Sequence, residues 1–233
     1  MSGGVATAWL DRPEKANALS AASVDALRAA IDAAVADPAT HTLVIRGRGR
    51  HFCTGFDLSG LEHETDATLR ARFIALEELL QAVWHAPVRT VAVATGRAWG
   101  AGADLFASCD VRACTPEATL RFPGTAFGIV LGTRRLVELV GWDRARPLVT
   151  EGATHDSAAA LASGLASDLV EDDIDAWLAA RCAPPVADRE TMEMVRRATR
   201  PDHRAADMAA LEASASRPGL ALRIERYRAG LKK

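Results

Sequence analysis

Two short stretches of the chain carry the residue types from which a reaction centre could be built. One is HFCTGFDL, from His51 to Leu58, and the other is GRAWGAGADL, from Gly96 to Leu105. Each follows an apolar, strand-like run. Loops beyond the carboxyl ends of parallel strands are where ligands bind, because backbone N–H groups there are free of strand pairing. Two such loops can aim two donors at one oxygen. An oxyanion hole needs fixed donors about 2.7 to 3.1 Å from an oxygen that gains charge, with no bulky side chain in the approach. Gly55, Gly100 and Gly102 supply that clearance. A helix opening near Ala101 adds positive dipole at the same point. Taken alone, either loop also reads as a tight turn between strand and helix; their likeness is the clue.

The elements that must hold these loops are legible from periodicity. Val5 to Leu10 reads as a strand, Ser20 to Ala36 as an alanine-rich helix and Thr42 to Arg46 as a second strand. Ser20 caps the helix, Val24, Leu27, Ile31 and Val35 share one face, and Asp37-Pro38 stops it. A second helix spans about Asp66 to His85, with Leu69, Phe73, Leu76, Leu80 and Val83 on one face, and ends before Pro87. Val88 to Thr95 is a near-continuous apolar run of the kind a buried strand shows. Gly96 to Gly102 reads as a glycine-rich loop, Ala103 to Ser108 as a helix and Val111 to Cys114 as a short strand. From His155 onward the chain reads as successive helices, broken at Pro184, Pro185, Pro201 and Pro218. Strand and helix in alternation imply a largely parallel sheet with helical crossovers, an α/β class. The tail, with its last helix over Leu220 to Leu231, serves packing or oligomerisation and could equally cover this subunit's own core.

Composition excludes several other classes. The 233 residues are 49% hydrophobic and 25% charged, an ordinary globular balance. With 28 Lys+Arg against 30 Asp+Glu the net charge is −2, which does not suggest a nucleic-acid partner. No apolar run reaches the ~18 residues of a membrane helix, and MSGGVATAWLDRPEK lacks the regions of a signal peptide, so a cytoplasmic protein without membrane contact is expected. Cys53, Cys109, Cys114 and Cys182 show no C-x-x-C spacing and no nearby His to complete a tetrahedral set. They read as buried, reduced thiols, and no metal is expected.

The order of segments resembles the crotonase, or enoyl-CoA hydratase/isomerase, superfamily. LDRPEKANALS is similar to its first loop, RHFCTGFDLSGL to its first oxyanion-hole loop and GRAWGAGADLFASCDVRACTPEATLRFP to its second. EGATHDSAAALASGLASDLV is similar to the segment before its helical tail, so the resemblance covers roughly Trp9 to Val170. It implies a spiral of ββα turns over residues 1–170, and a helical C-terminal region over 171–233 used for trimerisation. The assembly would be a homotrimer or dimer of trimers. It further implies an acyl-CoA thioester as substrate, no separate cofactor, and an enoyl-CoA hydratase, isomerase or lyase activity in fatty acid metabolism. Position by position, the N–H groups of Phe56 and Ala101 fall at the oxyanion hole. Thr54 and Leu58 fall where the family lines the CoA adenine, and Lys15 and Ala16 near pantetheine and phosphates. Lys15 is equally readable as a solvated surface lysine.

This sequence also departs from the family. Where the hydratases hold a water between two glutamates, the first matches Asp104, a carboxylate one methylene shorter, and the second matches Gly124, which cannot move a proton. Asp104 is either the remaining acid–base group or a first-turn helix acid stabilised by the dipole. The alternative function is therefore an acyl-CoA-binding protein that has lost hydration chemistry. His51 is the pH-responsive candidate beside the first loop, or a solvated surface histidine; Glu117 and Arg121 flank the short strand before Pro123 and either approach the acyl end or form surface salt bridges; the large Phe56 and Trp99 either narrow the acyl tunnel or point into the core.

Overall fold

In the computed structural model, which describes residues 3–230, the chain starts with a strand, Val5–Leu10 (β1), a helix, Ala21–Ala36 (α1), and a strand, Thr42–Gly47 (β2). The Ser20 hydroxyl accepts the Ser23 N–H at 3.2 Å, which caps α1 as its spacing predicts. Val24, Leu27, Ile31 and Ala34 form the buried stripe, and Val35 lies at its half-buried margin. Asp66–Trp84 (α2) follows, capped by Thr65, then Arg89–Ala94 (β3).

β1, β2 and β3 pair in parallel with Val111–Cys114 (β5) and Asp168–Leu169 (β8), in the order β1-β2-β3-β5-β8. Both faces are covered, so the strands carry apolar residues on both sides rather than in alternation. Leu43 and Ile45 join the main core with α1 and α2. Val44, Val91 and Val93 point the other way, under Ile174, Trp177 and Leu178 of Ile174–Arg181 (α7).

Three parts of the sequence reading are corrected. The segment Gly96 to Gly102 is not all loop: Arg97–Trp99 is a strand (β4), and the helix Ala101–Ala107 (α3) opens at Ala101, as the loop reading had it, and not at Ala103. A second sheet joins β4 in parallel to Thr119–Arg121 (β6), which pairs antiparallel with Thr154–Asp156 (β7). Hence the chain after His155 is not helical throughout, since β7 and β8 both complete sheets there.

Between β6 and β8 lie a 3-10 turn, Pro123–Phe127, and the helices Thr133–Val140 (α4), Trp142–Thr150 (α5) and Ser157–Ser163 (α6). The tail continues as Arg189–Thr199 (α8), Arg204–Ala215 (α9) and Leu220–Gly230 (α10). It packs back on its own subunit: α9 lies along α2 with Leu211 and Ala215 buried, and α10 buries Leu220 and Ile224. The expected end of the last helix, Leu231, lies outside the described residues. Arg135 of α4, fully buried, pairs with Glu77 of α2 at 2.5 Å and Asp207 of α9 at 2.8 Å. A charge so buried is tolerable only when paired, so this cluster fixes where three helices meet.

All four cysteines are free and buried, and burial pushes the thiols of Cys53, Cys109 and Cys114 up to about 12. No described helix is long and apolar enough to cross a membrane.

Candidate active site

The two glycine-bearing loops are stitched side by side. Cys53 N–H donates to the Arg97 carbonyl at 3.0 Å and Trp99 N–H returns to the Cys53 carbonyl at 2.9 Å, so Cys53 and Ala98 pair like strand residues. The glycines are needed for this approach. A Cβ at Gly102 would lie 2.4 Å from the Cys53 carbonyl oxygen, and one at Gly55 would lie 2.7 Å from the Trp99 oxygen and 3.3 Å from Ala101 N. Gly55 also has φ +94°, which L side chains rarely adopt.

Two N–H groups emerge from this junction without a partner among the described residues. Around Phe56 the neighbouring groups are engaged, since the Gly55 carbonyl accepts Leu19 N–H at 2.7 Å and Asp57 N–H reaches the Leu19 carbonyl at 3.0 Å. The Phe56 N–H itself is unbonded. Ala101 is the first residue of α3, where no intrahelical acceptor exists, and its N–H is unbonded too.

Both residues line one cavity of about 290 Å³. Ala16, Thr54 and Leu58 line it as well, and so do Asp104 and Gly124. Of the residues that the resemblance assigns to the oxyanion hole or the coenzyme, Lys15 is the exception: it is exposed, at the end of a 3-10 turn, and not in the lining. Ala16 and Asn17 have φ +50° and +56°. The Asn17 side chain holds that bend by donating to the carbonyls of Arg48 at 2.9 Å and His51 at 2.7 Å, and by accepting Arg12 N–H at 2.9 Å. Thr54 N–H then bonds the Ala16 carbonyl at 3.1 Å.

Phe56 and Trp99 are anchored in the lining. Phe56 stacks on Phe73 with centroids 4.5 Å apart, beneath the Arg72 guanidinium, and Trp99 Nε1 donates to Thr119 Oγ1 at 3.1 Å. His51 stands outside the cavity, where its Nδ1 accepts Arg97 N–H at 3.2 Å. Burial, with Arg97 and Arg50 nearby, keeps its pKa below the usual value. Glu117 is exposed, and Arg121 contributes its carbonyl to Gly100 N–H at 2.8 Å; neither lines the cavity.

Asp104 is the cavity's carboxyl group. It is 7% exposed, its side chain has no hydrogen-bond partner among the described residues, and it packs against the Cα of Gly132. Burial raises its pKa well above the ordinary carboxylate range; Arg135 opposes the rise and Glu77 adds to it. Asp57, by contrast, is pulled below that range: burial would raise it, but hydrogen bonds from Ser59 and the 2.8 Å ion pair with Arg12 outweigh this. The sequence reading missed Asn17, Arg97 and Tyr227. Tyr227, the single tyrosine, stands in helical register with Leu220 and Ile224, which was the available signal.

A five-stranded parallel sheet, a small second sheet that couples the two loops and a helical tail make up the crotonase fold. The chain belongs to the enoyl-CoA hydratase/isomerase family, whose model matches residues 1–216. Among solved structures, a putative enoyl-CoA hydratase/isomerase from Bordetella parapertussis is 41% identical, with a TM-score of 0.93 over 98% of this chain and 96% of that one. One from Xanthobacter autotrophicus is 26% identical, with a TM-score of 0.86 over 100% of this chain and 93% of its own. Among curated relatives, a probable enoyl-CoA hydratase of Mycobacterium bovis is 37% identical over 186 residues, covering 77% of this chain and 74% of that protein.

Proposed function

We propose that this protein binds an acyl-CoA thioester and stabilises its enolate between the Phe56 and Ala101 N–H groups, with Asp104 moving the proton at carbon. The observation that carries this reading is the pair of unbonded amides from two interlocked loops, opening on the same cavity as one buried carboxyl group. A C–H beside a thioester becomes acidic once the enolate oxygen is held. Each preorganised donor is worth about 2.7–4 kcal/mol of barrier. A carboxyl group with a raised pKa is, once ionised, a stronger base than a free one. Ala16, Thr54 and Leu58 cradle the coenzyme at the entrance, with Lys15 reaching its phosphates from outside. Phe56 and Trp99 restrict the acyl group to a short or flat one. Residues 1–170 form the catalytic core and 171–233 serve trimer contacts, a role supported by exposed Val186, Met194 and Val195.

Gly124 sets the reaction type. Hydration through two carboxylates lacks its second member, whereas shifting a proton between carbons, or eliminating from an activated chain, needs only one. Gly124 also supports a second reading, an acyl-CoA-binding protein without turnover. A panel of 2-enoyl-, 3-enoyl- and 3-hydroxyacyl-CoA esters separates them. Enzyme function requires turnover of at least one ester and a loss of about 10²–10⁴-fold in Asp104→Asn. Equal traces from both proteins reject it. Tight binding with every ester recovered intact establishes the second reading.

A further inference from the structure

The cavity carries one hydroxyl group that the proposed chemistry does not use. Tyr227 lies on α10, whose start is held by Asp66: its carboxylate oxygens accept Gly219 N–H at 2.7 Å and Ala221 N–H at 2.8 Å. Leu220 and Ile224 anchor the same face in the core, and Arg228 donates to the Leu58 carbonyl at 3.2 Å, tying α10 to the first loop. α10 packs on the 3-10 turn that bears Gly124, and the Tyr227 ring sits 5.2 Å from that of Phe127. Helix, turn and loop therefore fix the ring in the cavity wall.

The other hydroxyl groups of the lining are committed. Thr54 donates to the Ala16 carbonyl at 3.1 Å, Thr125 to the Val149 carbonyl and Thr133 to the Leu131 carbonyl at 3.4 Å. The Tyr227 hydroxyl has no hydrogen-bond partner among the described residues, and Phe73, Phe127, Ile129, Leu131 and Val149 make much of the remaining wall apolar. An unpartnered donor on a residue of a largely apolar lining selects for a ligand that brings an acceptor. Burial raises its pKa, with Arg121 opposing, so the phenol stays protonated and can donate.

We infer that Tyr227 is a specificity-determining residue whose O–H donates to an oxygen on the acyl chain, so that the preferred thioesters are hydroxy- or oxoacyl esters rather than plain hydrocarbon ones. This rests on the acyl-CoA reading above and adds the substrate class. The residue holds the ligand's oxygen and moves no proton.

Calorimetry with butyryl-, 3-hydroxybutyryl- and 4-hydroxybutyryl-CoA tests it, in an Asp104→Asn background that prevents turnover, with and without Tyr227→Phe. One hydroxylated ester is expected to bind about five- to tenfold more tightly than butyryl-CoA, the worth of one hydrogen bond. Tyr227→Phe should bring the two within about twofold and leave butyryl-CoA unchanged. A preference that survives Tyr227→Phe, no preference at all, or equal weakening of every ester each overturns the inference while leaving the acyl-CoA reading intact. Failure of all three esters to bind overturns that reading, and this inference with it.

Discussion

Replacing Gly102 by alanine tests the junction of the two loops. Its Cβ would fall 2.4 Å from the Cys53 carbonyl oxygen, 2.7 Å from Cys53 Cβ and 2.8 Å from Cys53 Sγ. Non-bonded heavy atoms prefer about 3.5–4.0 Å, so the loops must part by about 1 Å. A rotamer change can move Sγ, but it moves neither the carbonyl oxygen nor Cβ. Overpacking of this kind costs about 1–3 kcal/mol of stability, while exchanging a helical glycine for alanine returns up to about 1 kcal/mol. The fold should therefore survive with a modestly lowered melting temperature. Function should suffer more, because a 1 Å misplacement of an aligned donor costs about 10²-fold in rate. The assay is turnover of whichever ester the wild type converts fastest, run beside thermal unfolding. Gly230→Ala serves as control, since a Cβ there meets nothing within 4 Å. Turnover within about threefold of wild type in Gly102→Ala, with ester binding unchanged, would refute the claim that this contact sets the donors.

Three further outcomes follow. Asp104 has a raised pKa in the folded protein, so the native state holds a proton that the unfolded chain gives up at ordinary carboxylate pH, and stability falls as pH rises through that interval. Urea unfolding at pH 5 and pH 8 should show wild type losing stability relative to Asp104→Asn at the higher pH; parallel curves would contradict the burial argument. Arg135→Met strands the buried Glu77 and should cost about 3–5 kcal/mol. Adding Glu77→Leu should recover most of it, because Asp207 keeps Arg134 at 2.7 Å; no recovery in the double variant would rule out the ion pair as the cause. Finally, none of the four thiols should react with an aromatic disulfide reagent at pH 8 until the protein is unfolded, and rapid labelling of the native protein would count against their burial.

The sequence revealed those elements whose burial imposes a period. α1 and α2 each bury one stripe, and β2 and β3 are apolar on both faces, so their positions were legible to within a residue or two. β4, β7 and β8 have two or three residues each, too few to show any period, and they exist through pairing with distant strands, whereas the equally short β6 was marked by the Pro123 that follows it. For α3 the sequence offered two starts, near Ala101 from the loop and at Ala103 from composition, because all seven of its residues are buried, leaving no amphipathic stripe, and because Gly100 and Gly102 read as breakers. In the site, Ala16, Thr54, Phe56, Leu58, Ala101, Asp104 and Gly124, each singled out through the family resemblance, line one cavity. Tyr227 could not be placed there from sequence, since only the path of α10 over the Pro123–Phe127 turn brings it in. The Asp104 environment likewise depends on Arg135 and Glu77, which arrive from α4 and α2.

A crystal structure of the protein with a bound acyl-CoA tests the central claim most directly. The thioester oxygen should lie about 2.7–3.1 Å from both Phe56 N and Ala101 N, with the acyl chain beside Asp104. A thioester oxygen held elsewhere, or by only one of these amides, would contradict it.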